Sequence, residues 1–338
     1  MGKQNDKTIN QNHTQKSFNS PEGNRTCELS EANLGGFSPP LVGEVGRGLI
    51  YYFSLIKFSH TIFAMPFAAI GFCLAAFPSD DIFLWHYVLT SRLPWLVLLC
   101  MVFARTAAMA FNRYIDYEFD AKNARTAVRE IPSGKISPRA ALVFCGISAL
   151  CFVITTYFIN TLCFALSPVA LSVILGYSYT KRFTAWCHII LGLGLSLSPV
   201  GAYIAVTGEF AVLPIIFSFI VLTWTGGFDI LYALQDEDFD KSQALHSVPA
   251  RFGRTKSLGI SIAIHSITLL LVLLAGYVGE FSIFYWIGAT LFIACLVFQH
   301  AIVSPQNISR INLAFATTNG CASIVFGVFT IMGTMLNN

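Results

Sequence analysis

Nine apolar runs, each long enough to cross about 30 Å of hydrocarbon as a helix, constrain this chain more than any other feature. They recur near residues 49–77, 94–116, 139–160, 162–180, 186–207, 211–235, 257–278, 281–303 and 311–336. Pro, Gly, Asn or charge breaks them apart, as at Pro78-Ser79-Asp80-Asp81, Thr207-Gly208-Glu209 and Ser304-Pro305-Gln306-Asn307, and the third and fourth runs abut at Asn160. Composition agrees: 55% of residues are hydrophobic and only 12% charged, whereas a soluble fold carries about a quarter charged. Ordinary soluble enzymes, nucleic-acid modules and disordered proteins are excluded together. The expected fold class is all-α, a polytopic membrane protein of nine transmembrane helices over 47–338. Residues 1–46, rich in Asn, Gln, Ser and Gly, read as a disordered tail. The nine cysteines form no CxxC pair and read as packing residues.

Lysine and arginine fix an expected orientation. Of the 21, all but Arg92 fall in the tail, at the entry to the first span, or in and beside the even-numbered connections. The positive-inside rule then places the N-terminus and those connections in the cytoplasm, with the chain in the inner (plasma) membrane.

Two acidic runs end at that same face. The first reads Arg105 through Asn112-Arg-Tyr-Ile-Asp116-Tyr-Glu-Phe-Asp120. At about 100° per residue, Arg105, Asn112, Asp116 and Asp120 share one helical stripe. The second holds Asp229, Asp236 and Asp240, spaced by seven and four, on a stripe that Glu237 and Asp238 leave. A single carboxylate at a span end is ordinarily a solvated charge. Several on one stripe repel one another unless something cationic neutralises them, and ionisable residues within spans mark function by default. One amide with several carboxylates suits a hard cation, Mg²⁺ in particular when a phosphate comes with it. Basic residues on the same face, among them Arg105, Lys181 and Arg182, suit a diphosphate, and Tyr177 lies one turn before Lys181. Apolar walls, Mg²⁺ and a diphosphate site together imply ionisation of an isoprenyl diphosphate in a dry pocket.

These residues resemble the UbiA superfamily of intramembrane prenyltransferases, whose signatures are NDxxDxxxD and DxxxD. They stand here as Asn112 to Asp120, with Arg113 where the pattern often has Asp, and as Asp236-Glu-Asp-Phe-Asp240. Three further segments extend the resemblance over roughly residues 47–337: Ile56 to Ala68, Arg129 to Ser137, and Tyr177 to Thr184 with Leu191-Gly192. It implies nine helices around a central cavity under a cytoplasmic cap. Asn112, Asp116, Asp120, Asp236 and Asp240 would hold Mg²⁺, Arg105, Lys181 and Arg182 would meet the diphosphate, and Tyr177 would face the allylic cation. Asp229 looks like a further family position. The most similar branch transfers a polyprenyl group to the ring carbon of 4-hydroxybenzoate ortho to the hydroxyl, for ubiquinone or, in a similar group, menaquinone. Lys57 and His60 share a face of the first span and suit an aromatic carboxylate, against the plainer reading of a snorkelling lysine and an interior histidine. His188 is equally open. The expected partners are a polyprenyl diphosphate, an aromatic acceptor and membrane lipid, with no nucleic acid and no obligate protein partner. Two alternatives stand beside this reading: another acceptor, such as dihydroxynaphthoate, a haem or a chlorophyllide, and a secondary transporter using its carboxylates for H⁺ or Na⁺.

Overall fold

Polar caps set where the apolar runs start. Ser137, Asn160 and Ser247 each stand just before a helix and accept from a backbone N–H in its first turn, that of Ala140, Cys163 and Ala250 respectively, meeting donors that the helix leaves unpaired. The computed structural model describes residues 50–56, 64–77 and 90–336. Among them, residues 50–56 are helical. The helices α1 (Met65–Ala76), α2 (Leu93–Ile115), α3 (Tyr117–Lys122), α4 (Pro138–Ile159), α5 (Thr161–Thr180), α6 (Cys187–Thr207), α7 (Val212–Ala233), α8 (Glu237–Ser242), α9 (Val248–Val278), α10 (Ile283–Ile302) and α11 (Asn319–Met335) follow. No strand occurs among the described residues.

Among the described residues, seven helices are long and apolar enough to cross a membrane, and α1 and α11 are shorter apolar helices. At about 1.5 Å per residue, the 23 residues of α2 match the hydrocarbon thickness. The predicted span 49–77 corresponds to 50–56 and α1. Residues 57–63, and with them Lys57 and His60, lie outside the described residues, as does the segment 1–46.

One predicted boundary is corrected. The seventh span begins at Val248, not near 257, because Ser247 caps it and Pro249 occupies its first turn, so Arg251, Arg254 and Lys256 lie on helix. That helix breaks at Gly253, whose φ of 75° is open to glycine and costly for other residues. The last span keeps its expected start at 311 and winds as a π-helix over Leu313–Thr318 before α11. At Asn160 the predicted abutment holds: it ends α4 and caps α5, while its Nδ2 donates to the carbonyl of Ile204 at 2.8 Å.

The helices pack as two groups that share α6. One group is α1, α6, α7, α9, α10 and α11, each in contact with the next and α11 returning to α1; the other is α2, α4, α5 and α6. The first group holds the main core, where the fully buried Phe67, Phe217, Trp224, Tyr285, Phe292 and Phe326 meet. Ring centroids there lie 4.8 Å apart for Phe292 and Phe326 and 5.3 Å for Phe67 and Trp224. Around the outside, large apolar side chains such as Trp95, Tyr157, Tyr277, Ile283 and Val297 are exposed. Such a surface suits lipid and not water.

Candidate active site

The two acidic runs end their helices in bends. Asp116 closes α2 with φ −95° and ψ 5° and also precedes α3. After α7 the chain tightens into a 3₁₀ turn, Leu234–Asp236, before α8. The two uninterrupted helical stripes expected from the sequence are therefore corrected. The first run keeps its i to i−4 bonding through the bend: Asp116 N–H donates to the Asn112 carbonyl at 3.0 Å, and Asp120 N–H to that of Asp116 at 2.8 Å. Arg182 explains the end of α2, since its Nη2 donates to the Ile115 carbonyl at 2.7 Å, a cation at a helix C-terminus.

A cavity of about 290 Å³ opens between these ends. Its wall includes Arg105, Asn112, Asp116, Asp120, Tyr177, Lys181, Arg182, Asp229, Asp236 and Asp240. Ten expected site residues thus come together in one chamber, and only Lys57 falls outside the described residues. Arg105 lies inside α2, as the 94–116 run expects, ten residues before Ile115, or about 15 Å at the helical rise. Its Nε is buried and finds no hydrogen-bond partner among the described residues.

Each carboxylate of the chamber meets its own basic partner. Asp120 is held by Arg129, whose Nη1 lies 2.6 and 2.7 Å from the two oxygens, with Arg113 at 3.9 Å. Asp236 receives Arg125 through two nitrogens at 2.6 and 3.2 Å, and Asn123 at 3.3 Å. Arg125 also donates to the Tyr232 hydroxyl at 3.2 Å. Asp240, fully buried, lies 2.7 Å from Lys181 Nζ and accepts from Ser247 Oγ at 2.7 Å. Asp116 accepts from Asn112 at 3.1 Å and meets Arg182 at 3.4 Å. On the α6–α7 wall, His188 and Asp229 are 2.7 Å apart. That approach depends on Gly192, where a Cβ would come within 2.4 Å of the Leu222 carbonyl oxygen, as small residues allow helices to close in a membrane.

Charge balance favours an anion. The wall carries Arg105, Arg113, Arg125, Arg129, Lys181 and Arg182 against five aspartates. Burial and then the charge of Asp120 push the Asp116 carboxyl up to about 6, against the opposing pull of Arg182 and Lys181. For Lys181, burial lowers the ammonium pKa, but the Asp240 charge and hydrogen bond outweigh it and raise it overall. The donor set is chemically suited to a hard cation: oxygen ligands only, with Asp116 and Asp236 partly open to the cavity at 30% and 13% side-chain exposure. Among the described residues no three His, Cys, Asp or Glu side chains are already gathered as a ligand cluster, since the aspartates are engaged by Arg and Lys.

Sequence reasoning passed over Ser247, Asn123 and the pairings of Arg125 and Arg129. Ser247 had a readable signal, a capping residue two before Pro249 at the first turn of a helix. The others lie in the 123–136 connection, where no periodicity points a side chain anywhere.

The model of the UbiA prenyltransferase family matches residues 64–329. The chain belongs to that family. It is therefore an integral membrane prenyltransferase, as the expected enzyme class and fold had it. It is 30% identical over 232 residues to 4-hydroxybenzoate octaprenyltransferase of Photobacterium profundum, covering 68% of this chain and 79% of the relative. The enzyme of that name from Francisella tularensis subsp. holarctica (strain LVS) is 29% identical over 68% of this chain and 81% of its own. Among solved structures, the apo UbiA homologue of Aeropyrum pernix K1 superposes with a TM-score of 0.71 at 28% identity, covering 81% of this chain and 97% of that one. A UbiA homologue of Archaeoglobus fulgidus bound to GPP and Mg²⁺ gives 0.62 at 22% identity, over 84% and 99%; at that identity the likeness is one of fold.

Proposed function

We propose that this prenyltransferase moves a polyprenyl group from its diphosphate to the ring carbon of 4-hydroxybenzoate ortho to the hydroxyl, in ubiquinone or menaquinone synthesis. The observation that carries the reading is the chamber itself: two aspartate rows and six cations around one cavity, opening on apolar helices. The names of the relatives favour 4-hydroxybenzoate over other acceptors, and the Mg²⁺ and GPP held by the Archaeoglobus protein favour a magnesium diphosphate.

Asn112, Asp116 and Asp120 from one side, with Asp236 and Asp240 from the other, would hold Mg²⁺, Asp116 and Asp236 being the most open of the four aspartates. When bound, Mg²⁺ supplies positive charge against the diphosphate as negative charge builds on it. Arg105, Lys181 and Arg182 bind the same anion, each by charge-assisted donors. Tyr177 presents its ring to the allylic cation, and the surrounding apolar helices keep water from capturing it. Asp229 faces the acceptor, and Lys57 of the first span is the candidate partner for its carboxylate. The charge distribution along the chain supports an N-terminus and active-site connections on the cytoplasmic side of the inner membrane.

Purified protein in detergent, given Mg²⁺, a long-chain prenyl diphosphate and a panel of aromatic acceptors, tests this directly. Prenylated 4-hydroxybenzoate is the expected product. Product formed only with a dihydroxynaphthoate or a porphyrin overturns the acceptor assignment.

A further inference from the structure

His188 is 3% exposed and bonded on both ring nitrogens. Nδ1 lies 2.7 Å from Asp229 Oδ2, and the Val248 backbone N–H donates to Nε2 at 3.3 Å. A backbone N–H can only donate, so Nε2 is the accepting nitrogen and the ring proton sits on Nδ1, pointing at Asp229. Val248 is the first residue of α9, and its N–H is one of the donors that a helix start leaves unpaired. The imidazole is thereby clamped between a rigid helix start and one carboxylate oxygen. The other oxygen, Oδ1, has no hydrogen bond or ion pair among the described residues, and Asp229 lines the cavity.

The segment that supplies Val248 also holds the opposite wall. Leu245 N–H donates to the Asp240 carbonyl at 2.9 Å, His246 N–H to that of Lys181 at 2.7 Å, and Ser247 Oγ to the Asp240 carboxylate. Residues 245–248 therefore fix Asp240, Lys181 and His188 together.

We propose that His188 is a positioning residue that locks Asp229 from behind through the Val248 N–H, so that Oδ1 stands in the cavity as a fixed acceptor for the proton that the aromatic substrate releases. This rests on the prenyl-transfer reading. In that reaction the C–O bond to the diphosphate breaks and its electron pair leaves on the diphosphate. The ring carbon forms the new C–C bond, then gives up its hydrogen as a proton. The C–H electron pair restores the aromatic ring, and the proton goes to Asp229 Oδ1. A carboxylate free to turn would present that oxygen only part of the time.

Three substitutions separate the two links of His188. His188→Leu removes both. His188→Asn keeps an amide donor near the Nδ1 position, and His188→Gln keeps a group near Nε2. For His188→Leu, kcat should fall about 100-fold, within the range for a displaced base, with the prenyl diphosphate KM changed less than about twofold. Mg²⁺-dependent binding of an unreactive prenyl thiolodiphosphate should be unchanged. His188→Asn, which regains the Asp229 contact without the Val248 anchor, should recover part of the rate, and His188→Gln little of it. An acceptor deuterated at the reacting carbons should give a kcat isotope effect of about 2 or more in His188→Leu and near 1 in the wild type, because proton removal becomes limiting. A merely structural defect would produce no such effect. Weaker thiolodiphosphate binding in step with the lost rate, absence of the isotope effect, or Asn no better than Leu would each overturn the proposal. Should His188→Leu not accumulate in the membrane, the Asn and Gln variants decide it, Asn faster supporting and the reverse order refuting. The acceptor used is whichever hydroxyaromatic the wild type turns over, so a wrong acceptor and a wrong role for His188 give different results.

Discussion

The Lys181–Asp240 pair separates support of the site from contact with substrate. Asp240 has no exposed side-chain surface, and its oxygens rest on Lys181 at 2.7 Å and on Ser247 at 2.7 Å. Lys181→Met would leave a buried carboxylate with one hydroxyl donor. Removing one partner of a fully buried pair costs about 3–5 kcal/mol. Lys181, however, keeps 35% of its side chain exposed, so solvent already screens the pair and roughly half, about 2 kcal/mol, is the reasonable expectation. For a chain of this size, about 2 °C per kcal/mol gives a fall of about 4 °C in the apparent midpoint of thermal unfolding in detergent. In the double variant Lys181→Met/Asp240→Asn the stranded charge is gone and the amide still accepts from Ser247, so most of the loss should return while prenyl transfer stays low. A Lys181→Met midpoint within about 1 °C of wild type, or a double variant less stable than both single ones, would refute the argument that Lys181 neutralises Asp240.

Gly192→Ala, whose Cβ would meet the Leu222 carbonyl oxygen at 2.4 Å, should cost about 1–3 kcal/mol and lower prenyl transfer, whereas Gly201→Ala, with nothing within 4 Å, should be neutral or slightly stabilising; the comparison is read in thermal midpoints and rates. Asp116→Ala and Asp236→Ala should each reduce turnover by about 100-fold or more with membrane insertion intact, and near-normal rates in both would remove the metal assignment. Since Asp116 takes a proton as pH falls through about 6, the Mg²⁺ concentration for half-maximal activity should rise below pH 6, by up to about tenfold per unit, and level off above pH 7; an unchanging value between pH 5.5 and 7.5 would oppose it.

Much of the architecture was legible because a membrane forces it to be. Runs of apolar residues of fixed length must be helices, and Pro, Ser and Asn mark their starts, so α2 and α4 to α7 begin and end within two residues of the predicted spans. The start of α9 was not legible by the same rule, because Arg251, Arg254 and Lys256 depress the hydropathy of a segment whose helix is set by Ser247 and Pro249. The acidic motifs pointed to residues that do share one cavity, but by a partly wrong geometry. A helix pattern predicted continuous stripes, but bends at Asp116 and at Leu234–Asp236 deliver the same side chains to one cavity.

What sequence could not supply is which cation faces which carboxylate. Arg125 and Asp236 are 111 positions apart, Arg182 and Asp116 are 66, and His188 and Asp229 are 41, so no local period connects them. Yet repulsion among crowded carboxylates demands partners, and the fold finds a separate one for each: Arg125 and Arg129 from one connection, Lys181 and Arg182 from another, and His188 from α6. The result bears on loading. A divalent cation held by Asp116 or Asp236 would compete with Arg182 or Arg125 for it, and those guanidiniums already line the same chamber. On the proposed assignment, a metal and a diphosphate entering together would exchange partners with ion pairs that exist beforehand: the carboxylates would turn to the metal, and the freed cations to the anion. Either ion alone would leave one set of charges in the cavity without a partner, which makes joint binding of the two the favoured course for this arrangement of residues.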